Sequence, residues 1–275
     1  MPTLPDPYCR YLRLLGVEGR PSGLDGLRLL VRRHLFRVPF ENLTKLLLFA
    51  REGVGRLATL EEFLDGIEHR DLGGTCHSTN PFLAALLHQL GYDAVLYGAD
   101  ISQPNSHTSI RVHLEGVPYH VDVGYGGPFR VPMRLDRLPF EFQEGDLRYL
   151  LNPNDGEDAY EMAVYSGQRR VHGYVVHGPP RPMEFFTPGV CQSFAPGRAF
   201  MSCLRLVRIF DDHSVELRDR TLTVHRGAET NETELHDRTE LRAAVARDLQ
   251  MPRCPMDAAL DVLEQLTGTP LFGRH

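Results

Sequence analysis

With 275 residues, the chain is long enough to bury a sizeable core and is expected to form two or three domains. Its net charge of −6, with 42% hydrophobic and 24% charged residues, is typical of a globular protein that binds neither nucleic acid nor an anionic membrane. No apolar run reaches the length of a membrane span, and residues 1–6 lack the basic and apolar regions of a signal peptide.

The cysteines are five in number and lack CxxC spacing, which argues against structural zinc and against a disulfide framework. We therefore expect no metal and a reducing, cytoplasmic location. Four of the thiols are interpreted as small buried residues, namely Cys9, Cys191, Cys203 and Cys254.

The first part of the chain shows helical periodicity. Residues 8–15 form a short amphipathic segment, and residues 24–36 place an apolar stripe opposite several arginines. A further helix is predicted to begin after Thr59, which can cap it, and to run toward Arg70. Between these helices, Phe40 and Leu43 are expected to anchor the chain, and residues 46–50 form a short apolar patch.

Cys76 follows two glycines and precedes an apolar pattern of helical spacing that ends at Gly91. The glycines allow a tight turn and bring backbone amides close to a substrate carbonyl. The helix start has two placements. If the helix begins at Cys76, Pro81 lies inside it and costs about 3 kcal/mol; if Asn80 is the cap, Cys76 lies on a turn before it.

A β-hairpin is predicted over residues 107–114 and 117–124, with Glu115-Gly116 as its turn. Pairing Leu114 with Val117 puts His107 and Asp122 on one face as diagonal neighbours, roughly 7–8 Å apart at the backbone. A carboxylate at that distance can fix the tautomer of an imidazole. Cys76, His107 and Asp122 are therefore candidates for nucleophile, base and orienting carboxylate.

The same register leaves alternatives open. Arg111 is also diagonal to Asp122, so that an Arg111–Asp122 ion pair is possible in place of a catalytic contact. His113 and His120 are interpreted as exposed hairpin residues rather than catalytic ones.

The rest of the chain reads mainly as strands. Strands are predicted at 94–99, 160–165, 169–176, 200–210 and 214–224, and helices at 240–249 and 256–266. Alternating strands with Gly/Pro turns suggest a small antiparallel barrel or sandwich. Tyr125 and Phe129, around the 126–128 loop, either line an acceptor pocket or simply pack in the core.

Four segments in chain order resemble the arylamine N-acetyltransferases. They are YLRLLG at 11–16, VPFENL at 38–43, GGTC at 73–76 and VDVGYG at 121–126, with His107 fifteen residues before the aspartate of the last segment. The resemblance implies an α+β fold with three parts: a helical bundle at 1–95, an antiparallel β-barrel at 96–205 and an α/β lid at 206–275. It also implies that Cys76, His107 and Asp122 form the catalytic triad.

The family's chemistry is ping-pong: acetyl-CoA acylates the thiol, and an aromatic amine or hydrazine then takes the acetyl group. On this resemblance we assign Tyr125, Phe129 and Phe200 to the acceptor site and Gly126 and Gly127 to CoA binding. No metal, nucleic acid or membrane partner is expected.

The chain departs from the family pattern at three positions. Leu72, Thr75 and Ser78 stand where an arginine, an aromatic residue and a glutamate are usual. Because a buried carboxylate without a cation is costly, Glu41 must rely on Arg13 or on a displaced Arg70, and we expect the Arg13–Glu41 pair. The departures leave room for an amide synthase that uses a longer acyl thioester. Two further alternatives are a cysteine hydrolase and a non-catalytic binding protein on the same scaffold. The retention of all three triad residues argues against the binding protein.

Overall fold

The computed structural model describes residues 3–156 and 158–273, so that Met1 and Pro2 of the N-terminal segment considered above lie outside it. The fold is α+β, as predicted. Helices come first, an eight-stranded sheet follows, and a five-stranded sheet with two helices completes the chain. No helix within the described residues is long and apolar enough to cross a membrane.

Five helices precede the main sheet. They are α1 Asp6–Leu14, α2 Gly23–Arg37, α3 Leu43–Glu52, α4 Leu60–Arg70 and α5 Cys76–Gln89. The predicted start of α4 is confirmed, because Thr59 and Glu62 form a reciprocal capping box there. The expected apolar patch at 46–50 is part of α3, whose leucines Leu43 and Leu46 are fully buried.

Helix α5 begins at the earlier of its two predicted positions. Thr75 is the N-cap, and Pro81 lies inside the helix. Cys76 is therefore the first helical residue, where the helix dipole favours a negative charge.

The eight-stranded antiparallel sheet curls into a nearly closed barrel. Its strands are β2 Asp93–Asp100, β3 His107–Leu114, β4 Val117–Val121, β5 Met133–Arg134, β6 Phe140–Glu144, β7 Leu147–Pro153, β8 Tyr160–Ser166 and β9 Arg169–Val176. They lie in the order β5-β4-β3-β2-β9-β8-β7-β6. The predicted hairpin register is confirmed: Leu114 pairs with Val117 and Ile110 with Val121. The β6–β7 hairpin was not predicted.

The five-stranded sheet joins the N-terminal helical part of the chain to its C-terminal part. Strand β1, Phe40–Glu41, pairs with β10, and the order continues through β11, β12 and β13. The last four strands are Arg205–Ile209, His213–Arg218, Thr221–Arg226 and Glu229–Glu234. The predicted strand at 214–224 is in fact two strands, because Asp219 turns the chain with a φ of 53°. Helix α6, Thr187–Gln192, precedes β10, and the two helices that follow β13 are α7 Arg238–Arg247 and α8 Met256–Thr267.

His34, on α2, is buried in the apolar core of the helical region. Its ring stacks with Phe63, with centroids 6.5 Å apart, and meets the edge of Tyr11 at 6.0 Å. Neither ring nitrogen has a hydrogen-bond partner among the described residues. Burial lowers the pKa of His34 to about 3, because no partner stabilises its charged form.

Replacing His34 with phenylalanine is expected to stabilise the protein in mild acid. In the unfolded chain His34 binds a proton with a pKa near 6.5, whereas in the folded chain it stays neutral at pH 5. Through this residue the unfolding free energy of the wild type therefore falls by about 2 kcal/mol between pH 7 and pH 5. Urea unfolding at both pH values will show a smaller loss in His34→Phe. The exposed His69→Phe is the control, and an unchanged pH dependence in His34→Phe would contradict the prediction.

Candidate active site

The turn before Cys76 needs its two glycines. A Cβ on Gly73 would lie 2.1 Å from the carbonyl oxygen of Pro39, and Gly74 has a φ of +146°. Gly74 also forms a parallel β-bridge with Phe40, and the Glu41 amide donates to its carbonyl oxygen at 3.1 Å. The turn is thereby fixed to strand β1.

The three predicted residues of the triad come together. Cys76, His107 and Asp122 are 5%, 1% and 1% exposed, and Nε2 of His107 lies 2.8 Å from Oδ2 of Asp122. His107 also acts on the thiol of Cys76, and each of the two groups shifts the pKa of the other toward its charged form. Because an ionised carboxylate only accepts, Nε2 carries a proton and the other ring nitrogen is left for the thiol.

The electrostatics favour an ion pair. Burial raises the pKa of the Cys76 thiol, but the charges of His77 and His107 outweigh it, and the net pKa lies well below its ordinary value. Burial lowers the pKa of His107, yet the charges of Asp122 and Cys76 raise it overall. Burial would raise the pKa of Asp122, and His107 holds it below its usual range. The geometry supports a thiolate, an imidazolium and a carboxylate at neutral pH.

Asn80 holds the carboxylate in place. Its side-chain amide donates to Oδ1 of Asp122 at 2.9 Å and to the carbonyl oxygen of Thr108 at 2.5 Å, and it accepts from the amide of Val123 at 2.9 Å. A Cβ on Gly124 would lie 2.6 Å from the Cα of Cys76. Helix α5 therefore packs directly on the end of β4.

A search against protein families matches residues 23–252 to the model described as N-acetyltransferase. The chain belongs to the arylamine N-acetyltransferase family. It is 28% identical over 233 residues to the arylamine N-acetyltransferase of Mycolicibacterium smegmatis, covering 80% of this chain and 82% of that one. Its fold matches the Mycobacterium marinum arylamine N-acetyltransferase solved with CoA, at a TM-score of 0.78 and 23% identity, covering 94% and 99% of the two chains. Proansamycin X synthase of Amycolatopsis mediterranei is 30% identical over 132 residues, or 43% of this chain and 48% of that one.

The expected Arg13–Glu41 ion pair of this N-acetyltransferase does not form, and that prediction was wrong. Arg13 is exposed, whereas Glu41 is fully buried and accepts hydrogen bonds from the Thr44 amide and hydroxyl and from the Gly73 amide. Arg70, the other cation considered, is also exposed. Burial raises the pKa of Glu41, and these hydrogen bonds partly offset that rise. The donors therefore take the place of the cation that we expected.

The alternative prediction, an Arg111–Asp122 ion pair, was also wrong. Arg111 pairs instead with Asp158 at 3.1 Å and lies over the Tyr97 ring, 4.1 Å from its centroid. His113 is exposed, as predicted.

His120 is not the exposed hairpin residue that we expected, because its face of the hairpin forms the interior of the barrel. It is fully buried, with Nδ1 3.0 Å from the Tyr160 hydroxyl and Nε2 2.8 Å from the Tyr174 hydroxyl. Burial raises the pKa of Tyr174 well above its ordinary value, and the nearby charge of Asp122 raises it further. His120 and the two tyrosines thus form a buried polar cluster beside Asp122.

The predicted pocket residues lie at different depths. The Tyr125 ring is half-buried, 5.7 Å from the His107 ring, and its hydroxyl hydrogen-bonds Nδ1 of His172. Phe129 is 1% exposed and packs among barrel aromatics, which supports the packing interpretation. Phe200 is half-buried, 5.7 Å from the Phe40 ring.

The two glycines assigned to CoA lie between the sheets. A Cβ on Gly126 would meet Phe40 and Val207 of the five-stranded sheet, and Gly127 lies against Tyr125 and Phe129. Gly126 has a φ of +79°, which also favours glycine.

The cysteines other than Cys76 are more exposed than predicted. Cys9 and Cys191 are exposed, and Cys203 and Cys254 are partly so; all five are free thiols. Across residues 3–156 and 158–273, no cluster of three or more potential ligands could hold a metal ion.

Two functional neighbours were missed in the sequence. Asn80 was considered only as a helix cap, although its position one turn after Cys76 places it on the same side of α5. His77 was not considered at all, yet its Nδ1 lies 3.3 Å from Sγ of Cys76. Adjacency to the nucleophile was the available signal.

Asn80→Ala is expected to destabilise the protein by about 1–3 kcal/mol, because it leaves buried backbone and carboxylate groups unpaired. Urea unfolding measures this loss. The same change at Asn231, which is exposed on β13, is the control. A loss no larger than that of Asn231→Ala would show that Asn80 does not hold Asp122.

Proposed function

We propose that this N-acetyltransferase moves an acetyl group from acetyl-CoA to the nitrogen of an arylamine or hydrazine through a thioester on Cys76. The observation that carries the proposal is the buried Cys76–His107–Asp122 arrangement, in which His107 is hydrogen-bonded to the carboxylate and lowers the pKa of the thiol. The reaction is ping-pong, because the same thiol takes part in both half-reactions in turn.

In the first half-reaction, the Cys76 thiolate attacks the carbonyl carbon of acetyl-CoA. The new carbon–sulfur bond forms as the bond to the CoA sulfur breaks, and His107 gives its proton to the departing thiolate. Backbone amides at Cys76 and in the loop before His107 hold the negative oxygen of the intermediate.

In the second half-reaction, the acceptor nitrogen attacks the thioester and His107 takes the proton that the nitrogen loses. Asp122 keeps the imidazole in the tautomer that the reaction needs. Tyr125 and Phe200 form walls of the acceptor site, with Phe129 packed behind Tyr125. The free thiol suits a reducing compartment such as the cytoplasm.

The donor enters between the barrel and the C-terminal part of the chain, beside Gly126 and Gly127. Support comes from Gly126, which lies against Val207 of the five-stranded sheet. We assign the helical bundle to residues 1–95, the barrel to 96–205 and the lid to 206–275. No metal ion takes part in this chemistry.

A second candidate keeps the thioester chemistry and changes the acyl group. The chain is similar over 132 residues to proansamycin X synthase, and Leu72, Thr75 and Ser78 differ from the usual family residues. An amide synthase acting on a longer acyl thioester fits these two observations.

Brief incubation with acetyl-CoA, without an acceptor, is expected to add one acetyl group to the intact protein. The Cys76→Ala variant gains none, whereas Cys191→Ala, which removes an exposed thiol, still gains one. Intact-mass spectrometry measures both. Acylation by a longer thioester but not by acetyl-CoA would favour the second candidate, and an unmodified folded protein would contradict both.

Asp122→Asn is expected to lower kcat by about 10³–10⁴, because the amide permits the wrong tautomer of His107. Steady-state rates with an arylamine measure the effect, and thermal unfolding separates it from a loss of structure. Asp158→Asn, which removes an exposed partner of Arg111, serves as the control. Equal rates in Asp122→Asn and Asp158→Asn would remove Asp122 from the catalytic machinery.

A further inference from the structure

The nucleophile of this chain contacts a second imidazole besides that of His107. His77 follows Cys76 in the sequence, and its Nδ1 lies 3.3 Å from Sγ. The residue occupies the second position of α5 and is partly exposed, whereas Cys76 is buried.

The two histidines are held differently. His107 is almost fully buried and is bound to the Asp122 carboxylate. His77 has no carboxylate partner among the described residues, and its ring packs on Phe186, with centroids 5.8 Å apart. His77 is therefore oriented by an aromatic ring and by the sulfur atom itself.

Four titratable groups surround Cys76. His77 faces it from α5, His107 from β3 with Asp122 behind, and Lys45 acts on it electrostatically from α3. The Lys45 ammonium is engaged elsewhere: it donates to the carbonyl and hydroxyl oxygens of Ser193 at 3.0 and 2.6 Å. Burial raises the pKa of the Cys76 thiol, and among the charges that lower it His77 contributes most.

We propose that His77 is a second catalytic residue, which donates its Nδ1–H to Sγ of Cys76 and stabilises the thiolate when that sulfur leaves the acetyl group. The proposal rests on the thioester reaction proposed above. It assigns a different task to each imidazole. His107 takes and gives the proton, and His77 stabilises the negative charge on the sulfur atom.

The contribution of His77 falls on the step in which the carbon–sulfur bond breaks. When the acceptor attacks, the carbon–nitrogen bond forms and the carbon–sulfur bond breaks. The acceptor's proton goes to His107, and the electron pair of the broken bond stays on Sγ, next to His77. A thiol of lower pKa leaves faster, while its attack on a donor is slowed by only part of the same factor.

In the tetrahedral intermediate the acceptor nitrogen and Sγ compete to leave, and a weakly basic nitrogen leaves more readily than a strongly basic one. Stabilising the thiolate therefore increases the rate most for weakly basic acceptors. The acceptor class that follows is aromatic amines and hydrazines rather than strongly basic alkylamines.

The first test measures the thiol without any acyl donor. The rate of Cys76 alkylation by iodoacetamide, followed by peptide mass mapping, is recorded against pH. His77→Phe keeps a ring against Phe186 and is expected to move the midpoint upward by about one pH unit. His88→Phe, on the exposed last turn of α5, leaves it unchanged. An unchanged midpoint in folded His77→Phe would overturn the proposal.

If His77→Phe fails to fold, His77→Ala is measured in the same way, since it removes the donor to sulfur and is well tolerated in a helix. An upward shift of the midpoint supports the proposal, and no shift overturns it. Because acetyl-CoA is absent, the result is independent of whether Cys76 accepts an acetyl group from it. Failure of the proposed function and failure of this inference are therefore distinguishable.

The second test measures the leaving group. Acetylated wild type and His77→Phe are mixed with an aromatic amine or with a strongly basic alkylamine, and release of the acetyl group is followed in a single turnover. With the aromatic amine, His77→Phe is expected to be slower by about threefold or more for each unit of thiol pKa. An equal loss with both amines would contradict a leaving-group role.

Discussion

The active site depends on one close contact, between the first turn of α5 and the end of β4. Gly124 leaves no room for a side chain against the Cα of Cys76. Asn80 joins α5 to Asp122 and Val123 at the end of β4 and, through a third hydrogen bond, to Thr108 of β3. The nucleophile comes from the helical part and the histidine and aspartate from the barrel. This contact therefore helps to set the distance between them.

The interior of the barrel is polar on the side that supports the triad. His120 is hydrogen-bonded to both Tyr160 and Tyr174 beside Asp122. A buried carboxylate is tolerable when its lone pairs are satisfied, and here the donors are His107, Asn80 and the Gly124 amide. Burial lowers the pKa of His120 to about 4, so that it stays neutral and adds no charge to compete with His107.

Local signals in the sequence were sufficient for much of this arrangement. The two-residue turn at Glu115-Gly116 set the hairpin register, and through it the approach of His107 to Asp122. The Thr59 cap set the start of α4. What failed depended on distant partners. Hairpin alternation does not reveal that the second face lines a barrel, so His120 was misjudged. The partners of Glu41 are backbone amides and a hydroxyl, which no pattern of charges reveals.

Strand β1 gives the fold a consequence for its synthesis on the ribosome. The turn at Gly74 is bridged to Phe40, and Phe40 pairs in turn with Val207. Residues 167 positions apart must therefore meet before the turn of the nucleophile is held on both sides. A nascent chain that has not yet emerged as far as β10 carries the cysteine, the histidine and the aspartate but lacks this last support. The turn that holds the reactive thiol is therefore completed only after β10 has emerged.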